Sequence, residues 1–130
     1  MGTYHELEMI TVLALIEYTI LGGMVARARQ TYGVEAPATT GNPDFERYFR
    51  VHENTLEALI IFIPAVWIFA LEANYHFAVA LGALFLIVRI IYASGYLSAA
   101  NKRRPGALGT AAINGVLIAG SVIAIAIKAV

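Results

Sequence analysis

The chain alternates four long apolar stretches with short polar connections. The apolar stretches cover residues 9–28, 56–71, 77–100 and 107–130. A helix needs about 20 mostly apolar residues to cross a bilayer, and the second stretch reaches that length when the amphipathic residues before it are included. The pattern therefore predicts an all-α membrane protein, in which residues 1–130 form a single domain built as a four-transmembrane-helix bundle.

Composition supports a membrane protein. The chain is 59% hydrophobic and 14% charged, and its mean hydropathy is +0.70, whereas a soluble domain carries about one quarter charged residues. A formal net charge of zero argues against nucleic acid as a partner. The first helix lacks a basic leader and a small-residue cleavage site, so we expect it to stay in the mature protein.

Positive charge is concentrated on one side of the predicted bundle. Seven of the nine Lys and Arg residues flank the first connection or form the third. By the positive-inside rule these two connections are cytoplasmic and both termini lie on the opposite side. The seven residues are Arg27, Arg29, Arg47, Arg50, Lys102, Arg103 and Arg104.

Cysteine is absent from the sequence. Disulfides, thiolate metal sites and a protein-borne thiol nucleophile are therefore excluded, and any thiol must arrive with a substrate. His5, His52 and His76 do not have the spacing of metal ligands, so we expect no metal site.

A polar ribbon enters the second apolar stretch. Asn42 and Pro43 form an N-cap and first-turn pair, which starts the second helix before the membrane does. Each polar group at membrane depth costs about 2.5–3.5 kcal/mol and is kept only where it faces protein, water or a ligand. The ribbon is either a set of interfacial arginines with locally satisfied neighbours or a binding site. Its members, at offsets of three, four and three, are Arg47, Arg50, Asn54 and Glu57.

A second polar stripe runs along the third helix and ends at the same surface. Tyrosines at an interface ordinarily form an aromatic belt, but a belt does not need an arginine one turn deeper. We expect Arg89 to pair with a buried carboxylate such as Glu57. The stripe consists of Arg89, Tyr92, Tyr96 and Arg103, at offsets of three, four and seven.

The two remaining helices carry few polar groups. Glu17 lies near the middle of the first helix, where it is protonated, paired across helices, or functional. Gly22 and Gly23 would let another helix approach closely. The fourth helix follows Pro105, and we expect a structural role for it, with Asn114 as its notable polar residue.

Together the two stripes predict a pocket for a small anionic molecule, open sideways to lipid. Arginines bind carboxylates in bidentate fashion, and tyrosine hydroxyls with the Asn54 amide complete the hydrogen bonding. The run Phe45-Glu46-Arg47 with Arg50, Asn54 and Glu57, followed by Arg89, Tyr92, Gly95-Tyr96 and Lys102-Arg103, resembles the family of membrane-associated proteins in eicosanoid and glutathione metabolism (MAPEG). The resemblance covers about residue 27 to the C-terminus.

The resemblance implies a four-helix protomer in a homotrimer, with glutathione bound between neighbouring protomers. It implies that Arg103 holds the glutathione thiol as thiolate, and that Arg47 and Arg89 support the site. The activated sulfur would attack a lipophilic electrophile or reduce a lipid hydroperoxide delivered from the membrane. The implied glutathione-binding residues are Arg50, Asn54, Glu57, Tyr92, Tyr96, Arg29 and His52.

Two departures narrow the implied activity. Leukotriene-forming members have a second functional arginine where this chain has Gln30, and a tyrosine where it has Ala58, so general transferase or peroxidase activity is favoured over leukotriene synthesis. A non-catalytic lipid-binding member of the same family is an alternative, although a pure lipid binder needs no thiolate stabiliser such as Arg103. A small multidrug transporter using Glu17 is another alternative, but the arginine stripes would repel its cationic cargo.

Overall fold

The computed structural model describes residues 3–130, which form four helices joined by short connections. The helices are α1 (His5–Tyr32), α2 (Pro43–Glu72), α3 (Tyr75–Ser98) and α4 (Arg104–Ala129), and a single 3₁₀ turn, Ala100–Arg103, joins the last two. All four are long and apolar enough to cross a membrane. The predicted all-α fold with four membrane-spanning helices is confirmed.

Helix boundaries around the first connection follow local chemistry. Gly33 ends α1 in the left-handed region at φ 68°, and its N–H donates to the Arg29 carbonyl, as at many helix C-termini. The Asn42 side-chain oxygen accepts from the backbone N–H groups of Asp44 (2.9 Å) and Phe45 (3.0 Å). With Pro43 at the first helical position, this is the predicted N-cap, and it fixes where the polar ribbon begins.

The end of α3 differs from the prediction. Instead of continuing to Arg103, the helix ends at Ser98 and Ala99 is extended, with φ −163° and ψ 138°. The chain then folds back over the last turn of α3. The Lys102 carbonyl oxygen lies so close to Gly95 that a Cβ there would be only 2.4 Å from it. Glycine permits this approach. Arg103 therefore does not share a helix with Tyr92 and Tyr96, and the predicted helical register of the second stripe is wrong at that residue.

The bundle packs around α2, which contacts the other three helices. In the core, the rings of Phe62 and Phe85 stack with centroids 3.7 Å apart, and Leu7 and Leu117 from α1 and α4 are fully buried. Large apolar side chains cover the outer faces, for example Ile60 and Ile123. Such a surface suits hydrocarbon surroundings, in which helices associate by close packing and internal hydrogen bonds.

Candidate functional site

An open groove of about 520 Å³ runs between α2, α3 and α4. We call it the α2–α4 groove. Its lining also includes apolar side chains, among them Ile61 and Ile118. Its polar lining residues are Asn54, Glu57, Arg89, Tyr92, Thr110 and Asn114.

One hydrogen bond between α2 and α3 joins the two predicted polar stripes. The Asn54 side-chain nitrogen donates to the Tyr92 hydroxyl oxygen at 2.6 Å. Tyr92 is only 2% exposed, so its ring is fixed by packing while its hydroxyl reaches the groove. The structure thus brings together one residue from each stripe, as the sequence predicted.

Arg89 is the buried cation of the site, at 3% exposure. Its Nη2 donates to the Thr55 hydroxyl at 2.7 Å and its Nη1 to the Thr110 hydroxyl at 3.3 Å. Both hydroxyls donate their own protons to helix carbonyls one turn earlier, so their oxygens can accept hydrogen bonds from the guanidinium. The guanidinium carbon also lies 4.0 Å from the centre of the Tyr92 ring, which it holds in place.

The expected pairing of Arg89 with Glu57 is wrong. Within residues 3–130 no ion pair joins these two side chains. Glu57 lies on the exposed side of α2, whereas Thr55, two residues earlier, is buried against α3. Glu57 is therefore left to face the groove, where a ligand can reach its carboxylate.

The 3₁₀ turn brings Arg103 next to Tyr96 of α3. Its guanidinium carbon lies 5.5 Å from the centre of the Tyr96 ring. Tyr96 in turn packs edge-on against Tyr92, with centroids 5.8 Å apart. Although the helix is broken, the cation and both tyrosines form one continuous set of contacts; Arg103 is exposed and, like Tyr96, does not line the α2–α4 groove.

The two ribbon arginines bond to acids of their own helix. Arg47 pairs with Asp44, and Arg50 donates to Glu53 at 3.1 Å. The Arg50 side chain is 62% exposed, and exposed ion pairs contribute only about 0–1 kcal/mol. An anionic ligand could therefore displace the Glu53 contact at little cost, whereas the Arg47 side chain is more enclosed and does not line the α2–α4 groove.

Arg29 and His52 lie outside the α2–α4 groove. Arg29 donates to the Ala38 carbonyl at 2.7 Å and lies over the Phe45 ring at 4.8 Å. His52 stacks on Tyr18 of α1, with centroids 4.4 Å apart. His52 precedes Asn54 by two residues, which is about 200° around a helix. A single chain does not bring Arg29 and His52 into the α2–α4 groove.

Three further residues of the site were missed by sequence reasoning. Thr55 and Thr110 hold Arg89, and Gly106 lets α4 approach α3, since a Cβ there would lie 2.4 Å from the Tyr92 Cα. The signal in the sequence was the spacing of Gly106, Thr110 and Asn114, which puts small and polar residues on one face of an apolar helix. α4, expected to be structural, forms one wall of the groove. Within residues 3–130 no three His, Asp or Glu side chains are grouped to hold a metal ion.

Comparison with known proteins identifies the family. The profile of the MAPEG family matches residues 7–123. The chain is 48% identical over 118 residues to an uncharacterised protein of Synechocystis sp., covering 90% of this chain and 85% of the relative. It is 36% identical over 105 residues to human microsomal glutathione S-transferase 2, covering 81% and 71%.

A further relative is leukotriene C4 synthase of Rattus norvegicus, at 31% identity over 97 residues, covering 75% of this chain and 65% of the relative. The range matched by the family profile, residues 7–123, includes the polar ribbon, Arg89 and the lining of the α2–α4 groove. With four apolar helices of membrane-spanning length, the chain is a multi-pass integral membrane protein that belongs to the MAPEG family.

Proposed function

We propose that this protein is a membrane-embedded glutathione transferase that binds glutathione in the α2–α4 groove and activates its sulfur as a thiolate. The observation that carries the proposal is a buried polar cluster at the wall of a lipid-facing groove: Arg89 held by two threonines, and Tyr92 bonded to Asn54. Polar groups are costly at this depth. The names of the relatives, a glutathione S-transferase and a leukotriene C4 synthase, supply the chemical class.

Two side chains of opposite charge can meet charges of the tripeptide: Glu57 in the groove wall, and Arg50, which lies two turns earlier on α2 and outside the groove lining. Glutathione carries two carboxylates and one ammonium group. Arg50 can take a carboxylate in bidentate fashion once it leaves Glu53, and Glu57 can accept from the ammonium. Asn54 and Tyr92 then supply hydrogen bonds to the peptide groups between them. Each end of the ligand thus meets a group of opposite charge.

Activation of the sulfur is the role proposed for Arg103. A free thiol has a pKa of about 8.5, so only a few per cent is ionised at neutral pH. A fixed cation beside the sulfur favours the anion, and lowering the pKa by two units corresponds to about 2.7 kcal/mol. Tyr96 lies between Arg103 and Tyr92, so a sulfur bound beyond Tyr96 would meet this cation.

Two reactions of the thiolate are proposed. With a lipophilic electrophile, the sulfur forms a C–S bond as the leaving group departs with its electron pair. With a lipid hydroperoxide, the sulfur attacks the O–O bond, giving a sulfenic acid and the lipid alcohol. A second glutathione then reduces the sulfenic acid, releasing the disulfide and water. Both lipophilic partners can enter through the side of the groove that faces the membrane.

Assembly as a homotrimer would complete the site. Arg29 and His52 lie on the α1–α2 face, away from the groove of their own chain. A cyclic assembly uses a head-to-tail interface, which can place that face of one protomer against the groove of the next. Native mass spectrometry from mild detergent is expected to show a trimer, and a spectrum dominated by monomer would contradict the assembly. In this arrangement the groove opens toward the cytoplasmic side, where the basic connections lie.

Turnover measurements test the proposed activity. Protein in lipid nanodiscs, supplied with glutathione and either a nitroaryl chloride or a fatty-acid hydroperoxide, should yield the thioether or the lipid alcohol. Empty nanodiscs and the Arg103→Leu variant are the controls. If folded protein binds the lipophilic compounds but forms no product from either, the non-catalytic lipid-binding alternative is correct.

A further inference from the structure

A second groove lies between α1 and α3, separate from the candidate glutathione site. Its volume is about 470 Å³, which is within the usual range of small-molecule sites. Apolar side chains of both helices, among them Ile16, Ile20 and Ile90, form its walls, and the hydroxyl of Ser94 also lines it. We call it the α1–α3 groove. Its single ionisable lining residue is Glu17.

Glu17 has no structural task that accounts for it. Its Oε1 is buried and has no hydrogen-bond partner within residues 3–130. A buried acceptor without a partner costs about 1–3 kcal/mol, and an acidic side chain at the centre of a membrane helix costs about 2.5–3.5 kcal/mol. A carboxyl kept at such a cost indicates a partner that enters the groove.

Within residues 3–130 the buried Arg89 forms no ion pair with Glu17, and it does not fill this groove. Its two Nη groups are bonded to Thr55 and Thr110, and it lines the α2–α4 groove on the other side of α3. No Lys, Arg or His of the described chain lines the α1–α3 groove. Its chemistry is therefore one carboxyl set in apolar walls.

We propose that the α1–α3 groove binds a lipophilic primary amine taken from the membrane. The ammonium group donates to the Glu17 carboxylate, and the alkyl chain lies along the leucine and isoleucine side chains of the walls. An ammonium has three donors and no acceptor, so Glu17 and Ser94 are both suitable partners. The attraction between opposite charges is much stronger in surroundings of low dielectric constant than in water. This site is independent of the proposed glutathione chemistry.

Titration of octylamine tests the site. Isothermal titration calorimetry uses the full chain in nanodiscs of uncharged lipid, with empty nanodiscs as the blank. The wild type should bind one octylamine per chain saturably, and octanol, which has the same chain without the charge, should bind at least tenfold more weakly. Glu17→Gln should lose at least tenfold in octylamine affinity. Glu8→Gln, an exposed acid on the same helix, should bind like the wild type.

Two further variants locate the amine. Ala93→Phe keeps the carboxyl but fills the α1–α3 groove, and it should also lose octylamine binding if its helical spectrum is unchanged. Glu57→Gln removes the acid of the other groove and should leave octylamine binding intact. Equal affinity in Glu17→Gln and wild type would overturn the site. So would a loss that appears only in Glu57→Gln, or wild-type binding no greater than that of empty nanodiscs.

Discussion

Gly106→Ala should destabilise the bundle and the candidate site together. An added Cβ would lie 2.4 Å from the Tyr92 Cα, 2.5 Å from its Cβ and 2.7 Å from its backbone nitrogen. Because these atoms belong to a helix backbone, they cannot turn aside as a flexible side chain would. Overpacking typically costs about 1–3 kcal/mol, and Ala regains about 0.5–1 kcal/mol over Gly in a helix. With the clash on backbone, we expect a net loss of about 2 kcal/mol.

Gly115→Ala is the matched control on the same helix. A Cβ at Gly115 meets no atom within 4 Å, so only the helix preference remains and we expect about 0.5–1 kcal/mol of stabilisation. Unfolding of each variant by denaturant in mild detergent, followed by circular dichroism, gives the differences in free energy. A Gly106→Ala variant as stable as the wild type would refute the close packing of α3 and α4, as would equal destabilisation by both substitutions.

The same clash carries a functional signature. Moving α4 away from Tyr92 also moves Thr110 away from Arg89. Arg89 then holds the Tyr92 ring less firmly, and the Tyr92 hydroxyl that Asn54 bonds is less well positioned. Glutathione affinity should therefore fall in Gly106→Ala and stay near the wild-type value in Gly23→Ala, because a Cβ at Gly23 of α1 also meets no atom within 4 Å and Gly23 does not line the groove. Loss of stability with unchanged glutathione affinity would show that α4 does not support the binding site.

Two further predictions concern the charged residues of the site. Arg103→Leu should lower kcat by about 10- to 1,000-fold, as loss of a single electrostatic partner in the transition state does. Lys102→Leu and Arg104→Leu should keep most activity. Similar effects of all three substitutions would mean that the triplet marks only membrane topology. Arg50→Ala and Glu57→Ala should each weaken glutathione binding about 10- to 100-fold, since hydrogen bonds to charged groups contribute about 1.5–3 kcal/mol. Calorimetry in detergent measures the affinity, and unchanged values in folded protein would make the polar ribbon a set of interfacial side chains.

Helix number and helix starts could be predicted because they depend on local sequence. Each of the four apolar stretches lies within one observed helix apart from a residue or two at the ends of the last two. The start of α2 follows from Asn42, whose side-chain oxygen caps the first backbone N–H groups. The meeting of Asn54 with Tyr92 also followed from periodicity, because each residue lies on the polar face of its helix.

The partners of Arg89 and the end of α3 could not be predicted, since both depend on contacts between distant segments. Charge alone suggested Glu57 as the partner of Arg89, but burial decides between Glu57 and Thr55, and burial is set by the packing of α3. In the sequence, Gly95 is only part of the family motif Gly95-Tyr96. The structure shows that the Lys102 carbonyl packs against Gly95. Arg29 and His52 lie away from the groove of their own chain, and only the proposed trimer would bring them to it.

Thiolate formation on binding tests the central claim most directly. Glutathione is titrated into wild-type protein at neutral pH, and the ultraviolet difference absorbance of the thiolate is recorded against S-methylglutathione, which cannot ionise at sulfur. We predict a thiolate signal that saturates with glutathione, is absent with S-methylglutathione, and is lost in Arg103→Leu while Lys102→Leu retains it. Saturable glutathione binding without a thiolate signal in the wild type would contradict the claim that this membrane site activates the thiol.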